Sequence, residues 1–62
     1  MKTSELKRLA SEYGWTIRRH GHKHDLYSHP DRDYLIAIGR HDSEDVKTGT
    51  AAKLLKQIKG TD

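Results

Sequence analysis

Residues 34–38 read "YLIAI", a bulky, largely apolar run and the most strand-like segment of the chain. It is bounded on both sides. Gly39 ends it, and the preceding "HPDRD" (29–33) carries Pro and Asp in the manner of a hairpin turn. Upstream, "HDLYSH" (24–29) is a second short strand candidate, and a turn at Gly21 separates it from "WTIRR" (15–19). In that first strand bulky and polar residues alternate, which puts Trp15 and Ile17 on one face and Thr16 and Arg18 on the other.

Two helical patterns flank the strands. Leu6, Leu9, Ala10 and Tyr13 fall at i, i+3, i+4 and i+7, predicting a helix over residues 4–13 capped by Thr3 or Ser4 and stopped by Gly14. After a polar connection, "RHDSEDVKTG" (40–49), the same spacing recurs at Ala51, Leu54, Leu55 and Ile58. Thr48 and Thr50 are its capping candidates, Lys53, Lys56 and Lys59 occupy other faces, and Gly60 closes it. The order is helix, three strands, helix. Short connections between the strands favour an antiparallel meander with both helices on one face and the opposite face open, an α+β class. The expected core is Trp15, Ile17, Ile36, Ile38, Leu54, Leu55 and Ile58, with Leu26 also inward.

Sixty-two residues, 32% hydrophobic and 34% charged, make one small domain, residues 1–62, with one thin core and modest stability. Twelve Lys and Arg against nine Asp and Glu give +3 with neutral histidines, a charge compatible with a polyanionic partner as well as with simple solubility. The chain has no cysteine, which excludes disulfides and thiolate metal sites and suits a reducing cytosol. No apolar run approaches the roughly 20 residues of a membrane span, and the polar start lacks a signal-peptide core, so a cytoplasmic location without membrane contact is expected.

Four of the five histidines lie in "HGHKHDLYSH" (20–29). A tetrahedral metal site needs three or four ligands converging at about 2 Å. His20, His22 and His24 could share a strand face, but Gly21 suggests a turn between them and Asp25 would point to the other face. No metal and no cofactor is therefore expected. Acid/base cleavage of RNA is the alternative. Attack by a 2′-hydroxyl on its neighbouring phosphate needs a base, a donor for the leaving oxygen and cations on the nonbridging oxygens, and an imidazole suits both proton roles near neutral pH. The segment from Arg18 to Tyr27 supplies imidazoles, the cations Arg18, Arg19 and Lys23, and an aromatic ring. Residue types alone leave a ribonuclease, a noncatalytic double-stranded-RNA-binding module and a metal-binding adaptor all open.

A resemblance weighs on that choice. The chain resembles the HicA family of toxin ribonucleases, the mRNA-cleaving partners of HicB antitoxins, in four pieces in order: "MKTSELKRLASEYGW", "RRHGHKHDLYSHP", "IAIGRHDSEDVKTGT" and "AAKLLKQIKG". The second is similar to the Gly-x-x-His-Asp-x-Tyr form of that family's active-site segment. Many members read Gly-Ser-His there, whereas His22 and Lys23 stand between Gly21 and His24 in this chain. The resemblance implies a double-stranded-RNA-binding-domain-like α-β-β-β-α fold, metal-independent cleavage of mRNA depending on the histidine that aligns with His24, and a HicB-type antitoxin bound in a hetero-oligomer.

On that reading His24 is the general acid or base, and Lys23, Arg18, Arg19 and Arg40 are phosphate contacts. Tyr27 either stacks on a base and orients RNA or packs against the strand. His22, His29 and His41 are candidates for a second proton carrier. In a regular strand His24 shares a face with Leu26, so an inward Leu26 requires His24 to sit at the strand's mouth or before a bulge.

Overall fold

The computed structural model describes residues 1–60. Helix α1 spans Thr3–Glu12, followed by β1 (Thr16–His20), β2 (His24–Ser28), β3 (Ile36–Gly39) and helix α2 (Thr48–Lys59). The strands form one antiparallel sheet in the order β1-β2-β3. The α+β class, the α-β-β-β-α order and the meander expected from the sequence are all present. Among the described residues, no helix is long and apolar enough to cross a membrane.

Apolar spacing explains the helices, and their shared packing fixes the layers. Leu6 and Ala10 from α1 and Ile58 from α2 meet Trp15, Tyr27, Ile36 and Ile38 in one buried cluster. Both helices therefore cover the same sheet face, and Ala37 on β3's other face stays exposed, as does Leu35 just before the strand. Leu54 and Leu55 are only partly buried, packed against the edge of this cluster. Trp15 ties the two ends of the fold together, since its indole Nε1–H donates to the carbonyl of Ile58 near the end of α2 (3.0 Å). Gly14 follows α1 at φ 94°, a left-handed value that a side chain would strain, and so stops the helix as expected.

Helix capping differs from the expectation. Neither Thr3 nor Ser4 caps α1; both lie inside it, and the N-cap residue Lys2 offers no side-chain cap. The backbone of the β3–α2 connection does the work instead. The N–H groups of Thr3 and Ser4 donate to the carbonyls of Glu44 (3.0 Å) and Asp42 (3.2 Å), satisfying helix donors that a capping hydroxyl would otherwise serve. Thr48 and Thr50 likewise fall inside α2, behind an N-cap at Lys47.

Two core assignments are also corrected. Ile17 is 48% exposed although it pairs with Tyr27, because β1 is an edge strand that neither helix reaches over. Leu26 is only half-buried and faces outward, whereas Asp25 and Tyr27 point into the core, each 6% exposed. The inward set of β2 is thus shifted by one residue from the set read off the sequence.

The bulge sits in β1. Thr16 and Ile17 pair with Ser28 and Tyr27, but the register then skips Arg18, so that Arg19 pairs with Leu26 and His20 with Asp25. Directly opposed residues share a face. Arg19 therefore stands on the open face with Leu26 and His24, and His20 stands on the covered face beside Asp25. Simple alternation from Trp15 would have reversed those two residues.

Candidate active site

The β1–β2 hairpin tip, His20 to His24, holds the densest functional chemistry in the chain. Its turn is closed by the Gly21 N–H donating to the His24 carbonyl (2.8 Å). Any Cβ at Gly21 would run into that carbonyl oxygen, which is backbone and has no room to yield. Glycine is required here by close approach.

His24 opens β2 and is exposed on the open face. Its imidazole reaches across to the neighbouring strand, where it lies within van der Waals range of the space a Cβ at Gly39 would fill. With Leu26 facing outward, the shared face of His24 and Leu26 needs no bulge at His24. His22, Lys23, His24, Arg40, His41 and Glu44 line one cleft of ≈ 550 Å³ between the hairpin tip and the start of the β3–α2 connection.

Beneath the tip is an ionic cluster that the sequence reading left out of the site. Asp25 accepts from the Nδ1–H of His20 and from the Nε–H of Arg40, both at 2.9 Å. Arg40 also donates through Nη2 to the carbonyl of Gly21. One carboxylate thereby fixes His20, and one guanidinium joins β2, the hairpin turn and the connection after β3. The His20 hydrogen bond, then Arg40, hold the Asp25 carboxyl below its ordinary value of 3.8, against the opposing effect of partial burial. A depressed folded-state value stabilises the fold above the ordinary value, and that contribution is lost as pH falls through the folded one. Asp25→Asn should therefore flatten the loss of stability of the wild-type chain below about pH 4, the ordinary carboxylate range. Urea unfolding midpoints measured from pH 2 to 6 for the two proteins check this; parallel curves would sink it.

The connection carrying Arg40 and His41 is pinned from α1. Lys7 donates to the Asp42 carboxylate (2.6 Å) and to the Arg40 carbonyl (3.4 Å), and the Asp42 hydrogen bond is the main reason its ammonium titrates above its ordinary value. The Glu44 N–H closes a turn on the His41 carbonyl (3.0 Å).

The other sequence candidates fall outside the cleft. Arg18 occupies the bulge and lines a separate groove with His29 and Arg32. Arg19 is exposed, sharing the open face with His24. Tyr27, read from sequence as either stacking on a base or packing against the strand, is buried in the core, and that burial raises its phenol above the ordinary value. His29 lies outside the cleft, lining the groove with Arg18. Its Nδ1 accepts from the Asp31 N–H (3.0 Å), so the ring proton sits on Nε2 and donates to the Tyr13 carbonyl (2.7 Å), while the ring lies edge-on to Trp15 at 5.3 Å. Both nitrogens are used in holding the structure together. His20, His22 and His24 do not share a face, because the turn intervenes and the bulge sends His20 to the covered side.

Asp25, His20 and Lys7 are the supporting residues missed from sequence. One signal for Asp25 was available: had Tyr27 been read as core, strand alternation would have placed Asp25 beside it and demanded a cationic partner.

A family model described as "HicA toxin of bacterial toxin-antitoxin" matches residues 3–59 of the chain. A search of curated proteins finds no match.

Proposed function

The chain belongs to the HicA toxin family, whose members are the toxins of toxin–antitoxin systems, and from that premise we propose that it is an endoribonuclease that cleaves mRNA by metal-independent acid/base catalysis at His24. The whole chain acts as one toxin domain in the cytoplasm. The observation that supports the reading best is the placement of an exposed imidazole, His24, in a cleft it shares with Lys23 and Arg40. An imidazole takes or gives a proton at neutral pH, and cations beside it stabilise charge developing on a phosphate. Arg40 is braced by Asp25, so its position is set before any substrate arrives.

In the reaction the 2′-oxygen forms a bond to phosphorus and the bond from phosphorus to the 5′-oxygen breaks, leaving a 2′,3′-cyclic phosphate and a 5′-hydroxyl. Lys23 contacts the phosphate at the mouth of the cleft, and Arg19 extends a basic track along the open sheet face. A HicB-type antitoxin silences the toxin by covering this cleft in a hetero-oligomer.

The deciding experiment is incubation of the purified protein with an end-labelled transcript, with and without chelator. Cleavage in both conditions supports the reading. Salt-sensitive binding without product would instead identify a noncatalytic RNA-binding module, and chelator-sensitive cleavage would overturn the metal-independent mechanism. Lys23→Ala tests the phosphate contact separately. Binding to a noncleavable transcript should weaken uniformly across sequences, and the slope of log K against log salt should shrink by about 0.7, the value for one phosphate contact on a single strand.

A further inference from the structure

Acid/base cleavage of a phosphodiester moves two protons, one from the attacking 2′-oxygen and one to the departing 5′-oxygen, and His24 accounts for one of them. We propose that His41 is the second proton carrier of the site. This rests on the reading of His24 given above.

The cleft contains one imidazole from each of three positions: His22, His24 and His41. His41 is distinguished by how its backbone is held. Arg40 before it is anchored by its side chain to Asp25 and the Gly21 carbonyl, and by its own carbonyl to Lys7. Asp42 after it is fixed by Lys7 and by the α1 backbone, and the His41 carbonyl itself closes the turn to Glu44. His22 sits instead at the apex of the hairpin turn. Gly39 pairs with His24 and shares its face, Arg40 reaches Asp25, and His41, two residues past the end of β3, lines the same cleft as His24. Arg40 therefore anchors the backbone that carries His41 into that cleft. A proton donor held on braced backbone needs little rearrangement to act.

In the balanced step one imidazole, neutral, takes the 2′-hydroxyl proton as the O2′–P bond forms. The other, protonated, gives its proton to O5′ as the P–O5′ bond breaks. The pair ends with its protonation states exchanged.

The test measures single-turnover cleavage across pH for the wild-type chain, His24→Ala, His41→Ala and His22→Ala. It uses two substrates, an ordinary RNA and one with a single 5′-bridging sulfur, whose leaving thiolate needs no proton. The wild-type profile should be bell-shaped, with His24→Ala and His41→Ala each losing about 10²-fold or more in rate and each losing a different limb. The sulfur substrate should restore one of these two variants and leave the other slow. Retention of both limbs by His41→Ala overturns the proposal, as does loss of a limb in His22→Ala instead, or a sulfur substrate that restores neither variant. A His24→Ala protein that cleaves at the wild-type rate would sink the parent reading, a distinguishable result. Far-UV circular dichroism and affinity for a noncleavable RNA, both expected unchanged in His41→Ala, separate lost proton transfer from lost structure.

Discussion

His24→Ala is expected to lower the rate of RNA cleavage by about 10²–10⁴-fold, the usual contribution of a positioned general acid or base, and to abolish growth arrest on expression. The fold should be unaffected. His24 is exposed, and its imidazole rests against Gly39, which has no side chain to lose a partner. RNA binding should also persist, because Lys23, Arg40 and Arg19 remain. Cleavage in a clean preparation, unfolding midpoint and affinity for a noncleavable RNA are three independent readouts. If the variant still degrades RNA with chelator present, His24 does not carry the proton. If cleavage, binding and stability fall together, the residue is structural.

The largest expected effect on stability is at Trp15. Trp15→Ala removes a 2% exposed ring from the core and should cost about 3–5 kcal/mol. A further cost arises because the Ile58 carbonyl loses the indole N–H. At roughly 0.05–0.15 kcal/mol per residue, 62 residues give a total stability of about 3–9 kcal/mol. The variant should therefore be largely unfolded at 37 °C, with a collapsed urea midpoint and a molten near-ultraviolet spectrum. Trp15→Phe separates the two contributions. It keeps an aromatic ring against Tyr34 and His29 and loses the hydrogen bond, so a cost of about 1–3 kcal/mol is expected. If Trp15→Ala unfolds at the wild-type midpoint, the indole does not hold β1 to α2.

Both helices, the strand order and the tight turn at Gly21 were legible in the sequence because each rests on local spacing. Leu6 and Ala10 recur with the helical period, and Gly21 marks the hairpin tip. What escaped depended on partners distant in sequence. Helix α1 is capped by the carbonyls of Asp42 and Glu44, roughly forty residues away, so the threonine and serine at its start were misleading. Parity along β2 is ambiguous in the sequence, since Leu26 and Tyr27 are both plausible core residues, and it is Tyr27 that is buried. That single shift hid Asp25, and with it the brace on Arg40. At the site, the resemblance singled out His24, and the structure joins it in one cleft with Lys23, Arg40, His22 and His41. Arg18 and His29, chosen for residue type, stand outside that cleft, because type carries no information about which side of a strand is covered, and Tyr27, which shares the resemblance with His24, is buried in the core.

The extra residue in β1 has a consequence for how the gene can vary. Arg18 is a spacer before it is a cation, so missense changes there should be well tolerated, since any side chain still leaves the register skipped. An in-frame deletion of that one codon removes the bulge itself but leaves Ile17 opposite Tyr27, Arg19 opposite Leu26 and His20 opposite Asp25, so each keeps the face it already occupies. What is lost is the local bend and added twist that an unpaired residue gives β1, a contribution of length that mutational scans limited to substitutions will overlook.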